Sequence, residues 1–97
     1  MSVKVTLSSA LSDRIEGLQT LHLTGETVGE VLRHLCGEYP ALTDLLWRDG
    51  EFNSMLVAFR NNEDIRHLQG LNTPLSPNDE LSIITAIEGG LTSNLVV

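Results

Sequence analysis

The 97-residue sequence has few basic residues, and this shortage excludes several classes of partner. Lys4 is the only lysine among six basic residues, which stand against thirteen acidic ones and give a formal net charge of -7. A surface of this charge repels phosphate backbones and anionic lipids, so we expect no nucleic-acid binding and no membrane attachment. It favours partners whose docking faces are basic.

Cysteine and long apolar runs are also scarce. The single cysteine, Cys36, excludes an internal disulfide and a thiolate-rich zinc site. Three histidines (His22, His34 and His67) lack metal-ligand spacing, so we expect no bound metal. No apolar run approaches the roughly 20 residues of a membrane span, and the first residues lack the pattern of a secretion signal. These features predict a cytoplasmic protein without a bound cofactor.

The residues that are present predict several strands. Residues 2–8 alternate between apolar and polar side chains, as in a half-buried strand, and 21–24 continue this pattern after a polar, mobile connection. Residues 55–60 are apolar at nearly every position, which predicts a strand buried on both faces. A short return strand follows at 63–65, and residues 81–87 predict a central final strand.

One helix is predicted between the two pairs of strands. Thr27 and Glu30 have the spacing of a capping box, in which each side chain bonds the other's backbone N–H. Apolar residues at helical spacing then predict a helix over Val28–Cys36, with Gly37 as a left-handed stop and Pro40 as a barrier to continuation. The residues expected in the core are Val5, Val31, Leu35, Val57, Phe59, Ile83 and Ile84.

The order β-β-α-β-β predicts an α+β fold with a mixed sheet and one main helix. A long crossover over 66–79 fits a last strand that lies beside the first and parallel to it. This is the β-grasp arrangement. We expect one β-grasp domain over 1–88 and a flexible tail over 89–97.

The side chains do not predict an active site. Cys36 lies on the apolar stripe of the helix and is expected to be a small core residue. The histidines are expected at the surface, His34 without an acidic partner at a telling spacing, and no set of nucleophile, base and orienting residue forms. We therefore expect no catalytic residues and no enzymatic activity of the chain itself.

Gly89 and Gly90 are the exception, because they directly follow the last predicted strand. Two residues without Cβ atoms can lie extended in a narrow channel of a partner. Their sequence context, carried by residues 61–66, 70–75 and 77–90, resembles the C-terminal half of the MoaD/ThiS family of β-grasp sulfur carriers. The resemblance is nearest to the carriers of amino-acid biosynthesis, such as those that serve cysteine synthase.

The resemblance implies a ubiquitin-like fold and a sulfur carrier. A ubiquitin-activating-type adenylating enzyme would use ATP to adenylate the carboxylate of Gly90, with Gly89 in the tail channel. Sulfur transfer would convert Gly90 to a thiocarboxylate, and this group would donate sulfur to a biosynthetic enzyme that makes an amino acid or another small metabolite. The carrier would be a protein co-substrate of these enzymes.

The sequence departs from the family pattern in two places. Thr85 and Glu88 stand where the family usually has proline and small residues. The family also usually ends at the second glycine, whereas seven residues, Leu91–Val97, follow Gly90 here. The resemblance then implies a precursor that a JAMM-type zinc peptidase cuts between Gly90 and Leu91.

Three alternatives remain open at this point. The chain could be a ubiquitin-like modifier that forms an amide bond through Gly90. It could be the small subunit of molybdopterin synthase, although the extension counts against this role. It could also be a β-grasp interaction domain in which the two glycines are only a hinge.

Overall fold

A five-stranded mixed sheet with one long helix against one of its faces forms the framework of the protein. The computed structural model describes residues 2–86. The strands are β1 (Val3–Leu7), β2 (Thr20–Leu23), β3 (Trp47–Arg48), β4 (Glu51–Phe52), β5 (Leu56–Arg60), β6 (Glu63–Asp64) and β7 (Glu80–Thr85). The α-helices are α1 (Ser9–Ser12), α2 (Val28–Glu38) and α3 (Thr43–Leu46).

The sheet has the strand order β2-β1-β7-β5-β6, and β3 and β4 form a separate hairpin. β1 and β7 run parallel, whereas the other neighbours in the sheet pair antiparallel. This topology confirms the predicted β-grasp fold, including the parallel pairing of the first and last strands. The tight turn between β5 and β6 is also as predicted, since Asn61 and Asn62 have positive φ values of 51° and 75°.

The start of α2 follows from the sequence with one change. The backbone N–H of Glu30 donates to Oγ1 of Thr27 at 3.2 Å, as the capping box predicts. The Glu30 carboxylate accepts from the backbone N–H of Glu26, at 2.9 Å, instead of from that of Thr27. The apolar stripe of the helix is buried at Val28 and at the positions that follow it with helical spacing, which are Val31, Leu32 and Leu35.

The end of α2 differs from the prediction. The helix continues through Gly37 to Glu38, and Gly37 does not have a positive φ. The next residue, Tyr39, precedes Pro40, and a residue before proline is disfavoured in the helical region. Pro40 therefore ends the helix, and Gly37 is not its stop.

The connection between β1 and β2 is more ordered than its polar composition predicts. It contains α1 and a 3₁₀ turn over Asp13–Ile15. Leu11 is fully buried and Ile15 is 6% exposed, so these two side chains close one end of the core. The prediction of a polar turn missed them because two apolar residues are too few to give a periodic pattern.

Four of the seven residues predicted in the core are fully buried. Val5, Val31, Leu35 and Ile83 each have 0% exposure. The prediction is wrong for three side chains that are only half-buried, namely Val57, Phe59 and Ile84. These three alternate along β5 and β7 with the buried residues and face away from α2, which covers one face of the sheet.

Candidate functional site

The residues predicted to carry the function lie beyond the part of the chain that the structure describes. Gly89, Gly90 and Leu91 all fall outside residues 2–86, as do the predicted domain boundary at 88 and the tail over 89–97. Ala86 is the last described residue and stands three positions before Gly89. The end of β7 is therefore the described part of the candidate site.

Hydrogen bonds hold the end of β7 to both neighbouring strands. The N–H of Ala86 donates to the carbonyl oxygen of Met55 at 2.8 Å, one residue beyond the pairing of Thr85 with Leu56. On the other side, the N–H of Ser8 donates to the carbonyl oxygen of Ile83 at 3.0 Å. The strand is thus fixed close to the point where the chain continues toward Gly89.

Asn53 organises the segment that receives Ala86. Its side chain is buried, donates from Nδ2 to the carbonyl oxygen of Leu45 at 2.8 Å and accepts at Oδ1 from the N–H of Met55 at 2.9 Å. Its backbone bonds Leu46 through the N–H at 2.8 Å and Leu56 through the carbonyl at 3.0 Å. Sequence reasoning missed this residue, because a lone Asn before a strand is also typical of an ordinary turn.

The open face of the sheet carries an apolar strip beside the end of β7. We define the apolar strip as Met55, Val57, Phe59 and Ile84. Met55 is 51% exposed and the other three are half-buried. Val57 is paired with Ile84 across the two strands, so the strip is continuous from β5 to β7. A strip of this kind next to the predicted functional end of the chain is suited to contact with another protein.

The other half of the open face is polar. β1 and β2 contribute Lys4, Thr6, Thr20 and His22 to it, and Oγ1 of Thr6 donates to Oγ of Ser82 at 2.9 Å. Lys4 stands opposite Glu80 in the pairing of β1 with β7. Acidic residues also lie on α2 and around the β3–β4 hairpin, at Glu30, Glu38, Asp44, Asp49 and Glu51.

The three histidines do not form a site with one another. His22 and His67 are exposed, as predicted. His34 does have an acidic neighbour, contrary to the prediction, because Glu38 follows one helical turn later and its Oε2 lies 3.4 Å from Nε2 of His34. Within residues 2–86 no group of three or more His, Cys, Asp or Glu side chains is arranged to hold a metal ion.

Two carboxylates at the other end of the sheet have altered pKa values. The guanidinium group of Arg66, 2.6 Å from Oδ2 of Asp64, lowers the pKa of that carboxyl group, and Asp64 raises the pKa of Arg66. The backbone N–H of Ser76 and the side-chain amide of Asn61 lower the pKa of Asp79. Asp79 lies just before β7, far along the strand from Ala86, so its role is to anchor the start of that strand.

No helix in the described part of the chain is long and apolar enough to cross a membrane. Cys36 is half-buried and packs against the core, as predicted. Among the described residues, the candidate site therefore consists of the end of β7 together with the apolar strip and Asn53 beside it.

Comparison with known proteins gives a consistent family. A family model described as the ThiS family matches residues 9–90. Small archaeal modifier protein 3 of Haloferax volcanii is 38% identical over 64 residues, which are 66% of this chain and 70% of that protein. The sulfur carrier protein CysO of Mycobacterium tuberculosis is 27% identical over 93 residues, which cover 93% of this chain and all of that protein.

A solved structure agrees with these relatives. The solution structure of small archaeal modifier protein 1 from Methanosarcina acetivorans superposes with a TM-score of 0.82 at 34% identity. The alignment covers 92% of this chain and 96% of that one. The relatives are thus small carrier and modifier proteins with the same ubiquitin-like fold.

Proposed function

Because this chain belongs to the ThiS family, we propose that it is a sulfur carrier made as a precursor and cut after Gly90. The cut chain is adenylated at Gly90 and converted to a thiocarboxylate, which donates sulfur in the biosynthesis of an amino acid or another small metabolite. The observation that carries this proposal is the extent of the family match. It spans residues 9–90 and stops at the second glycine, so that Leu91–Val97 lie outside it.

The chemistry needs little from the chain beyond a slim, reachable end. The peptidase would hydrolyse the Gly90–Leu91 bond, its zinc supplying an activated water, so that Gly90 gains a free carboxylate and Leu91 leaves as a free amine. The new carboxylate attacks the α-phosphorus of ATP and releases pyrophosphate. Sulfide then attacks the carbonyl carbon of the acyl-adenylate, AMP leaves, and the thiocarboxylate of Gly90 remains. The partners supply all catalytic groups, the ATP and the sulfide.

The apolar strip is the surface through which we expect the adenylating enzyme to hold the carrier. Met55 lies in the strip and also accepts the hydrogen bond from Ala86, so this surface adjoins the point where the chain continues to Gly90. An enzyme that binds the apolar strip would therefore have the residues from Ala86 to Gly90 beside its contact surface. The partners proposed here are a ubiquitin-activating-type adenylating enzyme, a JAMM-type zinc peptidase and a sulfur-accepting biosynthetic enzyme.

Two variants test the order of the steps. A chain that ends at Gly90 is expected to be adenylated without any peptidase, whereas the 97-residue chain requires one. Gly90→Ala in the shortened chain is expected to bind the adenylating enzyme but to react poorly, because the added methyl group crowds the channel. Equal ATP-dependent reaction of the shortened chain and of its Gly90→Ala variant would contradict the assignment of Gly90.

A ubiquitin-like modifier is the second candidate, favoured by the match to a protein named as an archaeal modifier. It would use the same cut and the same adenylate but would end in an amide bond to a lysine of another protein. Lys4, exposed on the open face, is the only lysine on which the chain could modify itself. Amide-linked adducts on other proteins in cell extracts, in the absence of any thiocarboxylate, would favour this function over the carrier.

A further inference from the structure

We propose that Asn53 is a positioning residue for Gly90. Its side chain holds Met55, the residue directly before β5 that accepts the hydrogen bond from Ala86. Asn53 thereby sets where the chain leaves the sheet toward Gly90. The inference rests on the proposed function only for its consequence in the adenylation reaction. We call the contacts of Asn53 with Leu45, Leu46 and Met55, together with the bond from Ala86 to Met55, the clamp. All of these residues lie in the described part of the chain.

Two hydrogen bonds in series connect Asn53 to Ala86. Oδ1 of Asn53 accepts from the N–H of Met55 at 2.9 Å, and the carbonyl oxygen of Met55 accepts from the N–H of Ala86 at 2.8 Å. The peptide groups on the two sides of Met55 are therefore held by different partners. A displacement of Met55 displaces the acceptor of the last backbone hydrogen bond described in β7.

The clamp also needs an anchor on the rest of the domain, and α3 supplies it. The last turn of this short helix leaves carbonyl groups without partners inside the helix. Two of them, those of Leu45 and Leu46, accept from Nδ2 and from the backbone N–H of Asn53, each at 2.8 Å. Asn53 thus connects the end of α3 to Met55, the residue before β5 that accepts the hydrogen bond from Ala86.

The chemistry of the site requires an amide side chain. Asn offers a donor and an acceptor at the same time, and both are used here at a residue that is 6% exposed. Alanine would leave the carbonyl of Leu45 and the N–H of Met55 without these partners at a partly buried position. Aspartate would keep the acceptor for Met55 but would set a negative oxygen against the carbonyl of Leu45.

The link to the reaction comes from geometry. Only three residues separate Ala86 from Gly90, and the adenylating enzyme must place the Gly90 carboxylate in line with the α-phosphorus of ATP. A misplacement of a reacting group by about 1 Å can lower a rate by about two orders of magnitude. If the backbone at Ala86 becomes less firmly held, we expect the Gly90 carboxylate to reach the α-phosphorus less often. The affinity of the adenylating enzyme for the domain should change less.

The test compares Asn53→Ala with Thr73→Ala, both in the chain that ends at Gly90. Thr73 is a matched control, because it is fully buried and its Oγ1 accepts from the N–H of Gln69 at 3.0 Å. It lies next to the start of α2, where its carbonyl accepts from the N–H of Val28 at 3.0 Å, and it makes no bond to the exit of β7. Amide hydrogen exchange of Ala86 and steady-state adenylation are measured on each, at a temperature where each is folded.

In Asn53→Ala we expect exchange at Ala86 to rise by at least about tenfold over Thr73→Ala, corresponding to the loss of one partly buried hydrogen bond. The kcat of adenylation is expected to fall by at least about tenfold, with a smaller change in KM. Should Asn53→Ala fail to fold, Asn53→Asp replaces it, with the same signs and smaller changes.

Unchanged exchange at Ala86 would overturn the clamp, and faster exchange with unchanged kcat would overturn its role in the reaction. Failure of the unmodified shortened chain to be adenylated at all would instead contradict the proposed function. The exchange comparison would still decide whether Asn53 fixes the exit, so the two failures are distinguishable.

Discussion

The two faces of the sheet are made by the same strands but differ in what covers them. On the face toward α2, Val5, Ala58, Leu81 and Ile83 are at most 1% exposed. On the other face, Ile84 and its neighbours in the apolar strip are half-buried or exposed. Since alternate residues of one strand share nearly the same backbone environment, the difference comes from what covers each face, namely α2 and the segments that pack beside it in the core. Folding uses one face, and the other remains available for a partner.

The open face is itself divided. The part formed by β1, β2 and the start of β7 is polar and includes Glu80 and Ser82, whereas the apolar strip lies next to the exit of the chain at Ala86. The side chains of the apolar strip lie outside the core cluster. Their place beside the predicted functional end therefore supports a role in binding.

The largest expected effect is on stability and compares Ile83 with Ile84, two neighbouring residues of β7 that face opposite sides of the sheet. Ile83→Ala removes a fully buried side chain and is expected to lower the free energy of unfolding by about 2–5 kcal/mol. Ile84→Ala, with the same chemical change on the open face, is expected to cost less than half as much. Urea unfolding of the two variants measures both values. Equal losses would show that the open face is as important for folding as the covered one. Leu35→Ala, on α2, serves as a second buried variant and is expected in the range of Ile83→Ala.

The second effect concerns binding and tests the division within the open face. Met55→Ala truncates an exposed side chain of the apolar strip and is expected to weaken the complex with the adenylating enzyme by about tenfold. His22→Ala, on the polar half, is the matched exposed control and is expected to leave the affinity within about twofold. Isothermal titration or surface plasmon resonance measures both. A larger loss from His22→Ala than from Met55→Ala would place the contact on the wrong half.

A smaller expected effect, on binding rates, separates the contribution of the net charge from that of the apolar strip. The net charge of -7 is expected to steer the chain toward basic docking faces, and removal of the uncharged residues 91–97 leaves the side-chain charge unchanged. Raising the salt concentration should therefore slow association by roughly severalfold, with little change in the dissociation rate. Met55→Ala should do the reverse and mainly speed dissociation. An association rate without salt dependence would mean that the contact is apolar throughout.

The smallest effect is one of pH and lies at the start of β7. The hydrogen bonds from Ser76 and Asn61 lower the pKa of Asp79 in the folded chain, so its ionised form stabilises the fold above the ordinary pKa near 3.8. This contribution is lost as the pH falls through the lowered value. In Asp79→Asn the free energy of unfolding should therefore decrease less steeply below pH 4 than in the unmodified chain. Parallel pH curves for the two chains would contradict this contribution.

The sequence predicted the elements whose signals are local. The capping residue Thr27, the apolar stripe of α2 and the Asn61–Asn62 turn each depend on a few neighbouring residues, and the structure confirms them. The strand order followed from the length of the crossover and from the β-β-α-β-β sequence of elements.

The features that the sequence did not predict depend on contacts between distant segments. The apolar composition of β5 gave no sign that α2 covers only one of its faces, so Val57 and Phe59 were wrongly expected in the core. The expected stop at Gly37 was wrong because α2 continues to Glu38, although the barrier expected at Pro40 does end the helix. Asn53 gains its role only when the fold brings Leu45, Met55 and Ala86 together.

The most direct test of the carrier function is the intact mass of the chain ended at Gly90 after incubation with its adenylating enzyme, ATP and a sulfur source. We expect a gain that corresponds to one sulfur in place of one oxygen, located on Gly90 and absent without ATP. The same form, without Leu91–Val97, is expected in the native cells. An unchanged mass in the reaction, together with cells that contain only the 97-residue chain, would contradict the account.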